Sequence, residues 1–275
     1  QKGFLLGLQK DYKGKISAMD RLISEYPESQ YVDDALFEKG RSYVLLENSS
    51  SAAQAFEKLI REFPQSSLAR KAGIQLGLLY YNDNQPEKAL AAYKQVISNY
   101  PGSEEAKIAL QDLKSVYIDL NDINAYASYV NSIGGNIRLE VGEQDSLTYI
   151  AAEKPFMRGD NDGARRSLIN YLQTFPEGAF SSNANFYLGS IAFAKKEFDE
   201  AIQRFKSVIA SGDTKFLEES VARTAEIEYL SKDYPAALES FKRLQIVAEN
   251  PENRQAARLG IMRCALQTGQ QKDAL

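Results

Sequence analysis

Apolar residues recur along this 275-residue chain at the spacing of one helical face, and the striped segments come in pairs. Ala52, Phe56, Leu59 and Ile60 share one face, Ala89, Tyr93, Val96 and Ile97 a second, and Ala201, Phe205, Val208 and Ile209 a third. Twelve residues before each of these alanines stands a glycine, Gly40, Gly77 or Gly189, inside a preceding periodic segment. Turn-prone runs such as Glu47–Asn48–Ser49–Ser50 and Asn82–Asp83–Asn84–Gln85–Pro86 separate the two members of a pair. Pro86 and Pro235 stand where a second helix would begin, a position that proline tolerates. The pattern predicts helical hairpins and no sheet. The helix pairs are 2–10 and 13–25, 31–46 and 50–62, 68–82 and 86–99, and 103–119 and 122–131. They continue as 143–158 and 161–174, 180–195 and 198–210, 216–230 and 234–248, and 253–268 with a further start at 271.

The hairpins repeat. An aromatic precedes proline at Tyr26–Pro27, Phe63–Pro64, Tyr100–Pro101 and Phe175–Pro176, with successive prolines 37, 37 and 75 residues apart and Pro251 a further 75 on. Since 75 is nearly twice 37, two periods lack their proline, near Gly134–Gly135 and near Gly212–Asp213. Proline stops each second helix because it has no N–H to donate and disfavours helical geometry in the residue before it. The spacings Ala164–Leu168–Pro176 and Ala237–Phe241 fit the same unit. Each glycine is expected to make room for the alanine of the following helix.

Leu76–Gly77–x–x–Tyr80 followed by Ala89, Tyr93 and Pro101 resembles the tetratricopeptide repeat, and the resemblance runs over essentially the whole chain. There are two departures. The period is about 37 rather than 34, and Leu36, Gly73 and Asn185 replace the aromatic that opens the family signature. The resemblance implies an all-α, right-handed superhelical solenoid of about seven and a half hairpins. The link Tyr/Phe-Pro-x-Ser, at Tyr26–Ser29, Phe63–Ser66 and Tyr100–Ser103, is similar to that of tetratricopeptide proteins of the Gram-negative envelope. It implies a periplasmic or outer-membrane-associated protein.

The double glycine in Ile133–Gly142 interrupts the array, so the expected organisation is an N-terminal sub-array 1–132, a bending connection 133–142 and a C-terminal sub-array 143–275. Pro155 is expected to kink or shorten its helix. The start, Gln-Lys-Gly-Phe, carries no export segment and reads as a trimmed end. The last residues, Gln270–Leu275, read as a helix that is cut, leaving an uncapped repeat open to end-to-end self-association.

Composition narrows the chemistry. There is no His, no Trp and one Cys, so histidine-based triads, Cys–His pairs and histidine-ligated metals are excluded. A net charge of −4 with both signs interspersed provides no basic footprint, and nucleic acid is not an expected partner. The longest apolar runs span a few residues, far short of the ~20 needed to cross a bilayer. Asp160–Asn161–Asp162–Gly163 resembles the start of a calcium loop but lacks its later ligands, and it reads as a turn. Glu104–Glu105 and Glu218–Glu219 open helices and complement their dipoles, while Cys264 lies on an apolar stripe. No catalytic, cofactor or metal site is expected.

What remains is surface. First helices line the concave face of tetratricopeptide arrays, and carrying that over by spacing selects Arg41, Gln75, Tyr81, Gln111, Asn183, Tyr187, Arg223, Glu226 and Tyr229. The expected function is a non-catalytic scaffold whose groove binds a peptide or helix of a partner protein. The alternative is a glycan or cell-wall binding module, which would present two or more coplanar exposed tyrosines in one patch.

Overall fold

In the computed structural model, which describes residues 2–134, 139–212 and 215–270, every regular element is an α-helix. The hairpins are α1 (Lys2–Leu8) with α2 (Tyr12–Glu25), α3 (Val32–Leu45) with α4 (Ser49–Glu62), and α5 (Ser67–Asn82) with α6 (Pro86–Asn99). Then come α7 (Glu104–Asp119) with α8 (Ile123–Ile133), α9 (Val141–Met157) with α10 (Asn161–Thr174), and α11 (Ser181–Ala194) with α12 (Phe198–Ala210). The last are α13 (Leu217–Leu230) with α14 (Tyr234–Val247), followed by α15 (Pro251–Thr268). Predicted and observed ends agree to within two residues. The start at 271 lies outside the described residues, as do 135–138 of the connection where a bend was expected.

The turn inside each hairpin has one backbone signature. A residue with positive φ stands at Lys10, Glu47, Asn84, Asn121, Gly159, Lys196, Lys232 and Gly269, each 36 to 38 residues after the last. For the first seven, the next residue is the N-cap of the second helix, and Asp11, Asn48, Asp122, Asp160 and Asp233 accept a bond from the backbone N–H three residues on. That bond satisfies a donor the helix start would otherwise leave unpaired. Asp160 takes the N–H of Gly163 at 2.9 Å, which makes Asp160–Gly163 a helix cap. The period therefore persists through the repeats that lack the proline.

Packing within a hairpin corrects one expectation. The glycine of the first helix accommodates the aromatic ring of the second helix, rather than the alanine four residues before it. A Cβ on Gly40 would lie 2.5 Å from the Phe56 ring, one on Gly77 2.4 Å from Tyr93, and one on Gly189 2.8 Å from Phe205. These rings are buried, and the alanines Ala52, Ala89 and Ala201 are buried with them. Pro155 does not shorten its helix either: α9 runs on to Met157, because a proline this close to the end removes a single N–H from the ladder. The carbonyl of Pro155 still accepts from Arg158 and Asp160 in the closing turn.

The chain forms two compact units, Gln1–Tyr117 and Ile118–Leu275. In the first, α1 to α6 pack each on the next around Val32, Leu36, Phe56, Leu59 and Leu76. In the second, α8 to α15 do the same, with cores centred on Tyr149, Leu168 and Tyr171, on Phe205 and Ile227, and on Phe241 and Cys264. First helices of neighbouring hairpins also touch, α3 with α5, α9 with α11 and α13 with α15. Carboxylates near the start of a first helix tie it to the link that enters the next hairpin. Asp33 accepts from the Ser66 hydroxyl at 2.7 Å. Asp145 accepts from Tyr171 Oη at 2.6 Å and from the Ala179 N–H at 2.8 Å. Glu218 accepts from the Glu249 and Asn250 N–H groups at 3.0 and 3.1 Å and from Asn253 Nδ2 at 2.8 Å. Among the described residues no helix is long and apolar enough to cross a membrane.

Candidate recognition face

The residue that packs against the second helix sets a register on each first helix. It stands seven positions before the positive-φ residue: Gly40, Gly77, Ala152, Gly189 and Ala225. Positions six and two before it, and one and four after it, lie off the packing stripe. On α3 they are Asp34, Glu38, Arg41 and Val44; on α5 Lys71, Gln75, Leu78 and Tyr81; on α9 Ser146, Ile150, Glu153 and Phe156. On α11 they are Asn183, Tyr187, Ser190 and Phe193, and on α13 Glu219, Arg223, Glu226 and Tyr229. All are exposed or half-buried, as a surface used for contact requires.

The first unit carries Arg41, Gln75, Tyr81 and Gln111. Arg41 is exposed and held by Glu38 at 3.2 Å, and Glu38 also binds Lys15. Gln75 and Tyr81 are half-buried on α5. Gln111 is exposed but one residue off the register: Asp112 occupies that place and hydrogen-bonds the Tyr93 hydroxyl. A cavity of about 440 Å³ lies between α2 and α3, against Met19 and Leu22 and the face residues Asp34 and Glu38.

The second unit gathers its residues. Tyr149 donates to Glu153 at 2.7 Å and is hydrogen-bonded by Asn183, while the Tyr187 hydroxyl bonds the same Glu153 carboxylate. Burial first, and the neighbouring carboxylate second, push both phenols above their ordinary value, so they stay protonated and act as hydrogen-bond donors. The Tyr187 ring lies 4.4 Å from that of Phe156 and 5.8 Å from that of Phe216, centroid to centroid. Next along the face, the Arg223 guanidinium sits 4.9 Å over Phe193 and bonds Glu219 at 2.8 Å and Glu226 at 2.9 Å. Tyr229 packs edge-on against Tyr234 and Phe241. Arg223, Glu226 and Tyr229 share the wall of one cavity of about 380 Å³ between α13, α14 and α15.

Sequence reasoning missed Glu153, Phe156, Phe193 and Tyr149. Glu153 and Phe156 occupy on α9 the places of Glu226 and Tyr229 on α13, so the same spacing could have found them. Cys264 is buried in the α14–α15 core, where burial pushes its thiol up and leaves it protonated. Among the described residues no group of three or more Cys, Asp or Glu side chains could hold a metal ion.

Comparison with known proteins agrees with this architecture. Residues 33–111 match the family model YfiO, outer membrane lipoprotein, and residues 157–214 match the model of the tetratricopeptide repeat. No curated protein sequence matches the chain. Among solved structures, a tetratricopeptide repeat protein from Parabacteroides merdae is similar at 15% identity over 94% of this chain and 96% of that one, with a TM-score of 0.43. The TPR2AB domain of yeast Sti1 is similar at 12% identity over 96% of each chain, with a TM-score of 0.42. PilF of Pseudomonas aeruginosa is similar at 12% identity over 81% of this chain and 95% of that one, with a TM-score of 0.37. The 37-residue hairpins stay in register through the segment 157–214 that matches the tetratricopeptide-repeat model, and the described array has that architecture.

Proposed function

We propose that this protein is a non-catalytic scaffold that binds an extended segment or helix of a partner protein along the face of its first helices. The observation that carries the reading is the strip on α9, α11 and α13, where Glu153, Asn183, Tyr187, Arg223, Glu226 and Tyr229 present hydrogen-bonding and aromatic groups in succession. Tyrosine and arginine dominate the energetics of protein interfaces, because they combine large contact area with directional bonds. Arg41, Gln75, Tyr81 and Gln111 are the proposed contact residues of the first unit, taken by itself. The match of residues 33–111 to an outer membrane lipoprotein family, with the Tyr/Phe-Pro-x-Ser links, supports a place in a larger periplasmic or outer-membrane-associated protein. A glycan platform is less well supported. The parallel stacks Tyr149–Phe180 and Phe186–Phe216 each include a phenylalanine and a buried or half-buried ring.

Affinity capture from the native source tests the proposal. The wild-type chain should recover a partner protein that a variant combining Arg41→Ala, Tyr81→Ala, Arg223→Ala and Tyr229→Ala does not, with helical content equal by circular dichroism. Recovery of the same partners by both proteins would refute the assigned face.

A further inference from the structure

The register also covers α15, and there both leading places hold short residues. Gly269, with φ of 74°, places Met262 at the packing position, so the places six and two before it are Ala256 and Gly260. Elsewhere at least one of those two places carries a larger side chain, as in Asp34 and Glu38, Lys71 and Gln75, Ser146 and Ile150, Asn183 and Tyr187, or Glu219 and Arg223. Short residues on α15 leave the space beside α13 open. The result is the cavity of about 380 Å³, floored by Phe241 and Leu244 and walled by Tyr229 and Leu259. Packing accounts for Gly260, whose Cβ would lie 2.4 Å from the Phe241 ring. It does not account for Ala256, which is exposed and could carry a long side chain. A dry cavity of about 150 Å³ is enough to hold a benzene ring, so this one has room for a large side chain.

The charges on the rim are unequal in their pairing. Arg223 is satisfied by Glu219 and Glu226. Arg263, one position after the packing residue and exposed at the cavity edge, has no carboxylate partner among the described residues. The four rim charges sum to zero, and among the described residues the one outside an ion pair is positive. We infer that this cavity is the anchor pocket for one large apolar side chain of the partner segment, and that an Asp or Glu of the same segment pairs with Arg263. The inference rests on the groove reading above and adds to it the chemistry of the segment.

Panning a phage-displayed library of random dodecapeptides on the immobilised chain tests it, followed by fluorescence polarisation with a selected peptide. The wild type should enrich a Leu, Ile, Phe or Trp with an acidic residue within one helical turn. Ala256→Trp, which fills the cavity from an exposed position, should weaken the selected peptide at least tenfold. Arg263→Glu should do likewise and, when panned itself, select Lys or Arg in place of the acid. If both variants bind as the wild type does while Tyr187→Ala loses the peptide, the groove stands and the anchor assignment is overturned. If no peptide is enriched, the groove reading fails and the anchor with it. Binding of dodecanoate without any peptide would also overturn it, by making the pocket a fatty-acid site. Circular dichroism confirms the fold of each variant.

Discussion

At Gly77 the two helices of a hairpin meet with a tyrosine ring against bare backbone. Adding one methyl there forces the buried Tyr93 ring out of place, so Gly77→Ala should destabilise the protein by about 1–3 kcal/mol, measured by urea denaturation. The opposite sign is expected at Lys196, which holds φ of 60° in the turn. Lys196→Gly relieves a left-handed conformation, and after the added entropy of the unfolded chain the net gain should be up to about 1 kcal/mol. Unchanged or lower stability in that variant would contradict the reading of the turn. Asn84 and Asn121 announce such a turn in the sequence, because asparagine tolerates positive φ. Lys10, Glu47, Lys196 and Lys232 do not, since nothing in a lysine or glutamate side chain favours that geometry. The fixed approach of the two helices imposes it.

Between elements, the carboxylates near the helix starts do more than offset a helix dipole. Asp145 is 7% exposed and bridges Tyr171 and the backbone of the next link. Asp145→Ala would leave that N–H unpaired and should cost about 2–4 kcal/mol in thermal or chemical unfolding, well beyond a dipole effect of about 0.3–1 kcal/mol. Glu218 gives a pH signature. Burial alone would raise its carboxyl, but the bonds from Asn253 and from the N–H groups of Glu249 and Asn250 outweigh this and hold it below the ordinary glutamate range. Its folded pKa lies below the unfolded value, so the stabilisation is present at neutral pH and is lost as pH falls through the depressed value. Hydrogen exchange should show α15 losing protection in that acidic window in the wild type. In Glu218→Ala, α15 should be less protected already at neutral pH and should lack this acid step. The sequence shows Glu218 as an acidic helix start. Its partners, 31 to 35 residues away, come into view only when the next hairpin is stacked on the first.

Across the molecule, each helix packs mainly on its neighbours in the chain, so damage should stay local. Leu59→Ala, which removes a fully buried side chain, should cost about 2–5 kcal/mol and reduce exchange protection in α3 to α5 while leaving α13 to α15 unchanged. A uniform loss over the whole chain would contradict the nearest-neighbour picture. The hairpins themselves, their period and their ends were legible in the sequence. The forces that set them are short in range: stripes of apolar residues at helical spacing, N-caps, and prolines that stop a helix. Spacing also placed the selected residues on first helices, while the contacts that join Glu153 to Tyr149 and Tyr187 needed α9 and α11 side by side. The cavity beside α15 was not legible. It depends on what two short residues, Ala256 and Gly260, leave unfilled against Phe241 and Tyr229 of the preceding hairpin, and an empty volume is a property of packed surfaces rather than of any one residue.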